Sequence, residues 1–400
     1  VFLNISSNNL GTETNILKKE TQQLSPNLNE GFKKIIKSPL KIKDTKKQTK
    51  ETLVFHLNNN WLNSYYNSLI ERATHEHLRK NKELNEEYKK YRKIVTEWMI
   101  DVCNYFHLDS ITTHFAINNL DKIQPNESFT RFEWQMIAIG NILVASKFNE
   151  NEEHIPDLDT FEEITQQKIS KKALLEYEIW VLKRIGWNIN DVLPISLLSV
   201  QKEIMLKNTE EKEHKKVDEL FKLAFSFSEK ILLSYHFKEF EVKKIAALSL
   251  FLAVANCSYT PEWNALYEEL TQTSTKEIET IIQPHQRIIN IFLLSIQKEK
   301  MLKNTKEKDH KKVDELFKLA FFFNEKIILN YQLKNYELRK ITALSLFLAV
   351  KNCTYKPEWN SLYEELTQTS TEEIETFIQT HQELVDTLTY PVDEENKEKT

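Results

Sequence analysis

Glycine is scarce in this 400-residue chain: there are 4, with only 9 prolines. Sheet-rich folds and phosphate-cradling loops need more turn punctuation than that. With Leu, Lys and Glu abundant, the shortage points to an all-α chain. Cysteine is equally sparse. Cys103, Cys257 and Cys353 stand alone and no Cys-x-x-Cys pair occurs, which excludes a zinc ribbon and a disulfide framework. Isolated thiols fit a reducing compartment, nucleus and/or cytoplasm. The longest apolar run, 245–257, is too short and too interrupted to span a bilayer, so no membrane association is expected. Enzyme signatures are missing too: there is no Gly-rich phosphate loop, no His-Glu-x-x-His and no Gly-x-Ser-x-Gly. His75 and His77 are two apart on an expected helix, so they diverge and share no metal. Neither a metal nor a cofactor is expected.

What is present is helical patterning. The chain is 40% hydrophobic, enough core for two or three domains. Its net charge of −5 is unevenly spread, since residues 1–50 hold ten lysines against four acidic residues. The remainder is acidic, which argues against nucleic acid as the main partner. Residues 1–55, rich in Asn, Thr, Ser and Lys, read as a disordered basic segment. Residues 56–86 read as one amphipathic helix packed on the next domain, with Leu57, Trp61, Tyr65, Leu69 and Ile70 at helical spacing. Residues 87–190 read as five helices. The first carries the stripe Tyr91, Ile94, Val95, Trp98, Met99, Val102 and Tyr105. The third, 132–148, is apolar on nearly every side and belongs at the centre of a bundle. Ala138, Gly140 and Ala145 would let its neighbours approach closely. The fifth begins after Ser170, a suitable N-cap, and stops at Gly186, where a left-handed residue is expected.

The rest is an internal repeat. Residues 195–290 and 291–386 align without a gap at a spacing of 96. Lys215 to Ala224 recurs letter for letter at Lys311 to Ala320, and Leu266 to Thr275 at Leu362 to Thr371. Each copy reads as a five-helix domain, the first with helices near 195–206, 214–235, 239–256, 261–271 and 274–290. The expected units are therefore 87–190, 191–290 and 291–386, followed by a charged tail, 387–400. Cys257 and Cys353 are equivalent positions, read as small core residues. Where the first copy has Ser226 the second has Phe322, read either as an added buried contact or as a tolerated surface change.

Three segments carry a family resemblance. Tyr91-Arg-Lys-Ile-Val-Thr-Glu-Trp98, Ala145-Ser-Lys-Phe148 and Tyr177-Glu-Ile-Trp-Val-Leu-Lys-Arg-Ile-Gly-Trp-Asn-Ile189 resemble, in order and spacing, the N-terminal box of a cyclin. Each repeat copy resembles a C-terminal cyclin box, through Lys-Val-x-Glu-Leu, a small-residue apolar helix, a Glu-Trp turn and a helix bearing His285 or His381. The resemblance mixes features of A, B and D types. It implies an all-α fold of tandem five-helix cyclin boxes, one N-terminal box followed by two near-identical C-terminal-type boxes. It also implies a regulatory subunit without catalytic residues, whose partner is a cyclin-dependent protein kinase.

By the same resemblance, Lys147 and Glu178 face the kinase and bond to backbone groups flanking its catalytic helix. Phe148, Leu182, Trp187 and Ile189 match the apolar positions around them, and the helix of 56–86 also touches the kinase. Tyr91, Ile94, Val95, Trp98, Asp101, Trp134 and Gln135 match the groove that docks Arg-x-Leu peptides of substrates or inhibitors. Tyr91 and Trp134 are bulkier than usual there and partly fill it. Asn149 stands where the family commonly has a carboxylate, and the loop from there to Ile155 is longer and more acidic. Ser38-Pro39-Leu40-Lys41 resembles a site phosphorylated by such kinases, which makes Ser38 a candidate phosphosite. No Arg-x-x-Leu or Lys-Glu-Asn degradation motif occurs in the chain. Two other readings stay open: a cyclin-fold interaction scaffold that activates no kinase, and a TFIIB-type transcription factor, a class that needs a zinc ribbon and basic boxes.

Overall fold

Side-chain caps set where the helices begin. Thr130 accepts from the Glu133 amide while the Glu133 carboxylate reaches back to the Thr130 amide. The same reciprocal arrangement recurs at Ser274 with Glu277 and at Ser370 with Glu373. Ser170 caps its helix as expected, accepting from the Ala173 amide. The computed structural model describes residues 60–79, 86–123, 129–165, 170–257, 265–329, 338–353, 361–382, 385 and 388. Ser38 and Leu57 lie outside them. Among the described residues there is no strand, and the fold is all-α.

The first bundle comprises α2 (Glu86–Tyr105), α3 (Ser110–Ile123), α4 (Arg131–Asn149), α5 (Leu158–Thr165) and α6 (Lys171–Arg184). Its centre is α4, whose Met136 to Ala145 segment is fully or almost fully buried. A Cβ on Gly140 would stand 3.1 Å from Val181 Cγ2 and 3.2 Å from the Tyr177 carbonyl, so the absence of a side chain lets α6 cross closely there. Gly186 ends α6 with φ +62°. Trp187 follows at φ +59°, a conformation costly for a bulky residue. Its amide bonds the Leu182 carbonyl at 2.9 Å, which closes the turn.

The repeat builds two further bundles. The first copy contributes α7 (Pro194–Asn208), α8 (His214–Leu233), α9 (Val242–Ala255) and α10 (Ala265–Thr271). The second contributes α12 (His310–Leu329), α13 (Leu338–Asn352), α14 (Ser361–Thr367) and α15 (Thr371–Thr380). Between them lies α11, a single helix over Thr275–Asn304. The sequence reading ends one helix at 290 and begins another at 291; the structure joins them. The joint is filled with apolar side chains: Ile289, Phe292, Leu293 and Ile296 pack into the core of the first copy, while Leu294 and Met301 pack into that of the second. Phe292 replaces Ser196 of the first copy and lies 6.0 Å from the Phe237 ring. Phe322, in place of Ser226, is half-buried on the second core, which favours the added-contact reading.

The N-terminal helix α1 (Asn60–Arg79) needs two corrections. Its buried line is Leu62, Tyr66, Leu69, Ile70 and Ala73, whereas Trp61 and Tyr65 stack on each other in solvent. The physical reason is the partner surface: Tyr66, Leu69, Ile70 and Ala73 enter the core of the first repeat copy rather than that of the adjacent bundle. Gln201 of α7 donates to the Tyr66 hydroxyl at 2.6 Å, and burial pushes the Tyr66 pKa up to about 12. Cys103, Cys257 and Cys353 are buried free thiols, as expected of core positions.

Candidate protein-interaction surface

Lys147 ends the buried run of α4, and Glu178 lies midway along α6 where that helix crosses it. The ammonium donates to both carboxylate oxygens, at 2.8 and 2.7 Å. Lys147 is half-exposed and Glu178 nearly buried, so the pair stands at the rim of the bundle. Phe148, next to Lys147 in sequence, and Trp187, just past the end of α6, are exposed, Ile189 is half-buried, and Leu182, one turn after Glu178, is buried. The edge of the Phe148 ring meets Phe115 of α3 at 5.5 Å, which fixes its direction. The ammonium end of the pair is open to solvent, which screens the interaction.

Asn149 and Glu150 brace the end of α4. Asn149 donates to the Thr112 hydroxyl at 2.9 Å, and Glu150 accepts from the Asp109 amide at 2.7 Å and from Thr112. The acidic loop that follows forms a short exposed turn, Glu152–His154.

The second set of residues divides along α2. Tyr91, Ile94 and Asp101 face solvent, Val95 and Trp98 pack partly on the first core, and Gln135 is half-buried. Trp134 is buried, stacked on Tyr88 at 5.9 Å and tilted against Tyr91 at 6.1 Å. Its ring therefore packs beneath Tyr91, while Asp101 lies exposed further along α2.

One polar centre escaped the sequence reading. Arg92, wholly buried, donates from Nε to Asp121 Oδ1 at 2.7 Å and from Nη2 to Oδ2 at 3.0 Å. Two further N–H groups reach the carbonyls of Leu232 and Leu233, at 2.7 and 2.8 Å, at the end of α8. Tyr88 and Lys238 also bond Asp121. Burial would raise the Asp121 pKa, but the charges of Arg92 and Lys238 outweigh it and hold the carboxyl well below its ordinary range. This network locks the first bundle to the first repeat copy. The signal was in the spacing: Arg92 follows Tyr88 by one turn and precedes Thr96 by another, and all three point inward.

Among the described residues no group of three His, Cys, Asp or Glu side chains is arranged to hold a metal, and no helix is long and apolar enough to cross a membrane.

These features define an all-helical protein of tandem bundles with a bidentate lysine–glutamate pair at the rim of the first. The family model for the cyclin N-terminal domain matches residues 63–190, and that for the cyclin C-terminal domain matches twice, at 203–308 and 292–399. The chain belongs to the cyclin family. The two C-terminal matches overlap along the helix that the repeat copies share. The G2/mitotic-specific cyclin-B of Spisula solidissima is 22% identical over 271 residues, 68% of this chain and 59% of that protein. The G2/mitotic-specific cyclin-B1 of Caenorhabditis elegans is 29% identical over 119 residues, 30% of this chain and 32% of that protein. The matches thus span about a third to three-fifths of these relatives' length. A viral cyclin from herpesvirus saimiri, solved by X-ray, has a TM-score of 0.44 and 19% identity, covering 53% of this chain and 94% of its own.

Proposed function

We propose that this chain is a cyclin-type regulatory subunit that binds and activates a cyclin-dependent protein kinase, and that it performs no chemistry itself. The observation that carries the reading is the Lys147–Glu178 pair, bidentate and at the rim of the bundle, with exposed Phe148 next to Lys147 in sequence and exposed Trp187 just past the end of α6. On binding, the two side chains exchange each other for the kinase backbone: the ammonium donates to a carbonyl and the carboxylate accepts from an amide. Charge-assisted bonds of this kind are directional enough to fix a helix. Phe148, Trp187 and Ile189, with Leu182 behind them, supply the apolar contact that anchors such an interface. Holding the kinase's catalytic helix inward completes the kinase's own Lys–Glu ion pair and shifts its population toward the active form.

The surface at Tyr91, Ile94, Val95, Trp98 and Asp101, with Gln135 and the buried Trp134, is proposed to dock basic-apolar peptides of the Arg-x-Leu kind. The units proposed for this arrangement are 87–190 for the kinase-binding box and 191–290 and 291–386 for the two C-terminal-type boxes, in the nucleus and/or cytoplasm.

The test is affinity purification of the wild type beside a Lys147→Ala/Glu178→Ala double variant, with the recovered kinase identified and assayed. Wild type is expected to recover an active cyclin-dependent kinase, and the double variant to lose it. Equal recovery of an inactive kinase by both, or of none by either, overturns the reading in favour of a cyclin-fold scaffold. Asn149, in place of the usual carboxylate, is the observation that keeps that second reading in view.

A further inference from the structure

The strap that joins α6 to α7, residues 186–192, is gripped by two other helices. On α3, Asn118 and Lys122 lie one turn apart and share a face. Lys122 donates to the Asn188 carbonyl, which sits between Trp187 and Ile189, and its ammonium lies 2.8 Å from the Asp191 carboxylate. Asn118 donates to the same carboxylate at 2.8 Å. The Asp191 side chain is fully buried, and that of Lys122 is 14% exposed. On α1, Arg72 and Glu76 are again one turn apart and 3.3 Å from each other. Arg72 donates to the carbonyl and to the side-chain oxygen of Asn190, each at 3.3 Å, and Glu76 accepts from the Val192 amide at 2.9 Å. The apolar side of α1 is seated in the first repeat copy, so these bonds tie the strap to that copy as well as to α3.

This clamp holds a conformation that the strap would not choose alone. Gly186 and Trp187 follow each other in the left-handed region. A bulky residue stays there only where its surroundings over-determine it. Trp187 is nonetheless 50% exposed, so full burial does not offset the strain. An outward aromatic side chain held in a costly backbone conformation is the arrangement of a contact set in advance.

We infer that Lys122 and Glu76 are positioning residues for partner binding: they hold the strap so that Trp187 and Ile189 meet the kinase already ordered. The inference rests on the reading that these two side chains touch the kinase. The Glu76 side chain is 15% exposed, so both positioning groups are largely covered and act through the strap. A strap ordered beforehand spares binding the entropy of ordering it. A strap ordered only part of the time lowers the apparent affinity by that fraction.

The test uses the full chain labelled with 5-fluorotryptophan, its Trp187 resonance assigned through Trp187→Phe, and the kinase recovered by the wild type, purified alone. Wild type is expected to give one sharp fluorine resonance for Trp187. Lys122→Met and Glu76→Ala should split or broaden it and weaken kinase binding about tenfold, equivalent to 1.4 kcal/mol. The loss should lie in the association rate, because a smaller fraction of the chain is competent, whereas a lost contact chiefly speeds dissociation. Glu76→Gln keeps an acceptor for the Val192 amide and should restore both the resonance and the rate. Melting curves check folding. If Lys122→Met, which strips buried Asp191 of its cation, does not fold, the two Glu76 variants carry the test. An unchanged resonance in the variants, or a disturbed one with wild-type binding, overturns this inference alone. A wild type that binds no kinase overturns the functional reading and the inference with it.

Discussion

Two buried ionisable side chains on α3, seven residues apart, are held in opposite charge states. His114 is wholly buried, and burial pushes its pKa from 6.5 down to about 3, so the folded chain holds it neutral. Asp121 stays charged because Arg92 and Lys238 surround it. The sign for His114 follows from linkage: the unfolded chain binds the proton more readily. Its contribution is complete above about 6.5 and is lost as pH falls toward about 3. His114→Leu is therefore expected to flatten acid sensitivity, read as the urea midpoint at pH 7.5, 6.0 and 4.5, with wild type losing more over that span. Parallel loss in both proteins would sink the assignment. None of this was legible in the letters, because Thr112-Thr113-His114 reads as polar surface, and only the crossing of neighbouring helices makes it interior. Lys147 and Glu178 were singled out only through the family resemblance, not through their spacing; they lie 31 residues apart in sequence and 2.7 Å apart in space.

At the scale of the element, helix existence and type followed from apolar spacing and caps, and α4 and α6 lie within a residue or two of their expected bounds. The two failures share a cause. The orientation of α1 and the continuity of α11 are both decided by packing on the first repeat copy, which periodicity within a segment does not encode. Pro284 made continuity harder to foresee, because a proline inside a helix removes a hydrogen bond and crowds the preceding turn. It lies within α11 nonetheless, on the exposed side, while the second copy, with Thr380 at the equivalent place, ends its helix there. Burial of Ile289, Phe292 and Leu293 just beyond outweighs the local cost. Pro284→Ala should restore the bond to the Thr280 carbonyl. An interior proline costs about 3 kcal/mol, offset by up to about 1 kcal/mol of lost chain stiffness in the unfolded state. A net gain of about 2 kcal/mol is expected as a raised calorimetric melting temperature, and an unchanged or lower one would show that α11 is already broken at that point.

For the whole molecule, the spacing of 96 residues reveals how many bundles there are but not how they share side chains. The third bundle is not appended to a finished second one: the core around Phe221, Leu248 and Ile278 is completed by Ile289, Phe292, Leu293 and Ile296, three of which belong to the next repeat copy. A cut at the repeat boundary and a cut at the end of α11 should then differ sharply. A chain ending at Asn304 keeps the second bundle's core whole and exposes only the surface that met the third, notably Leu294 and Met301. A chain ending at Asn290 loses Phe292, Leu293 and Ile296 together. Removal of single buried residues of this size costs about 2–5 kcal/mol each, against a total domain stability of about 5–15 kcal/mol. The longer truncation should show hydrogen-exchange protection across 214–255 close to that of the full chain, and the shorter should lose it. Because Arg92 draws two of its acceptors from the end of α8, the loss should spread to α2 in the shorter chain and be visible as faster exchange at Tyr88 to Thr96. Equal protection in the two truncations would mean that the second copy folds without its neighbour's helix, and that the shared α11 is a contact between finished domains rather than part of either core.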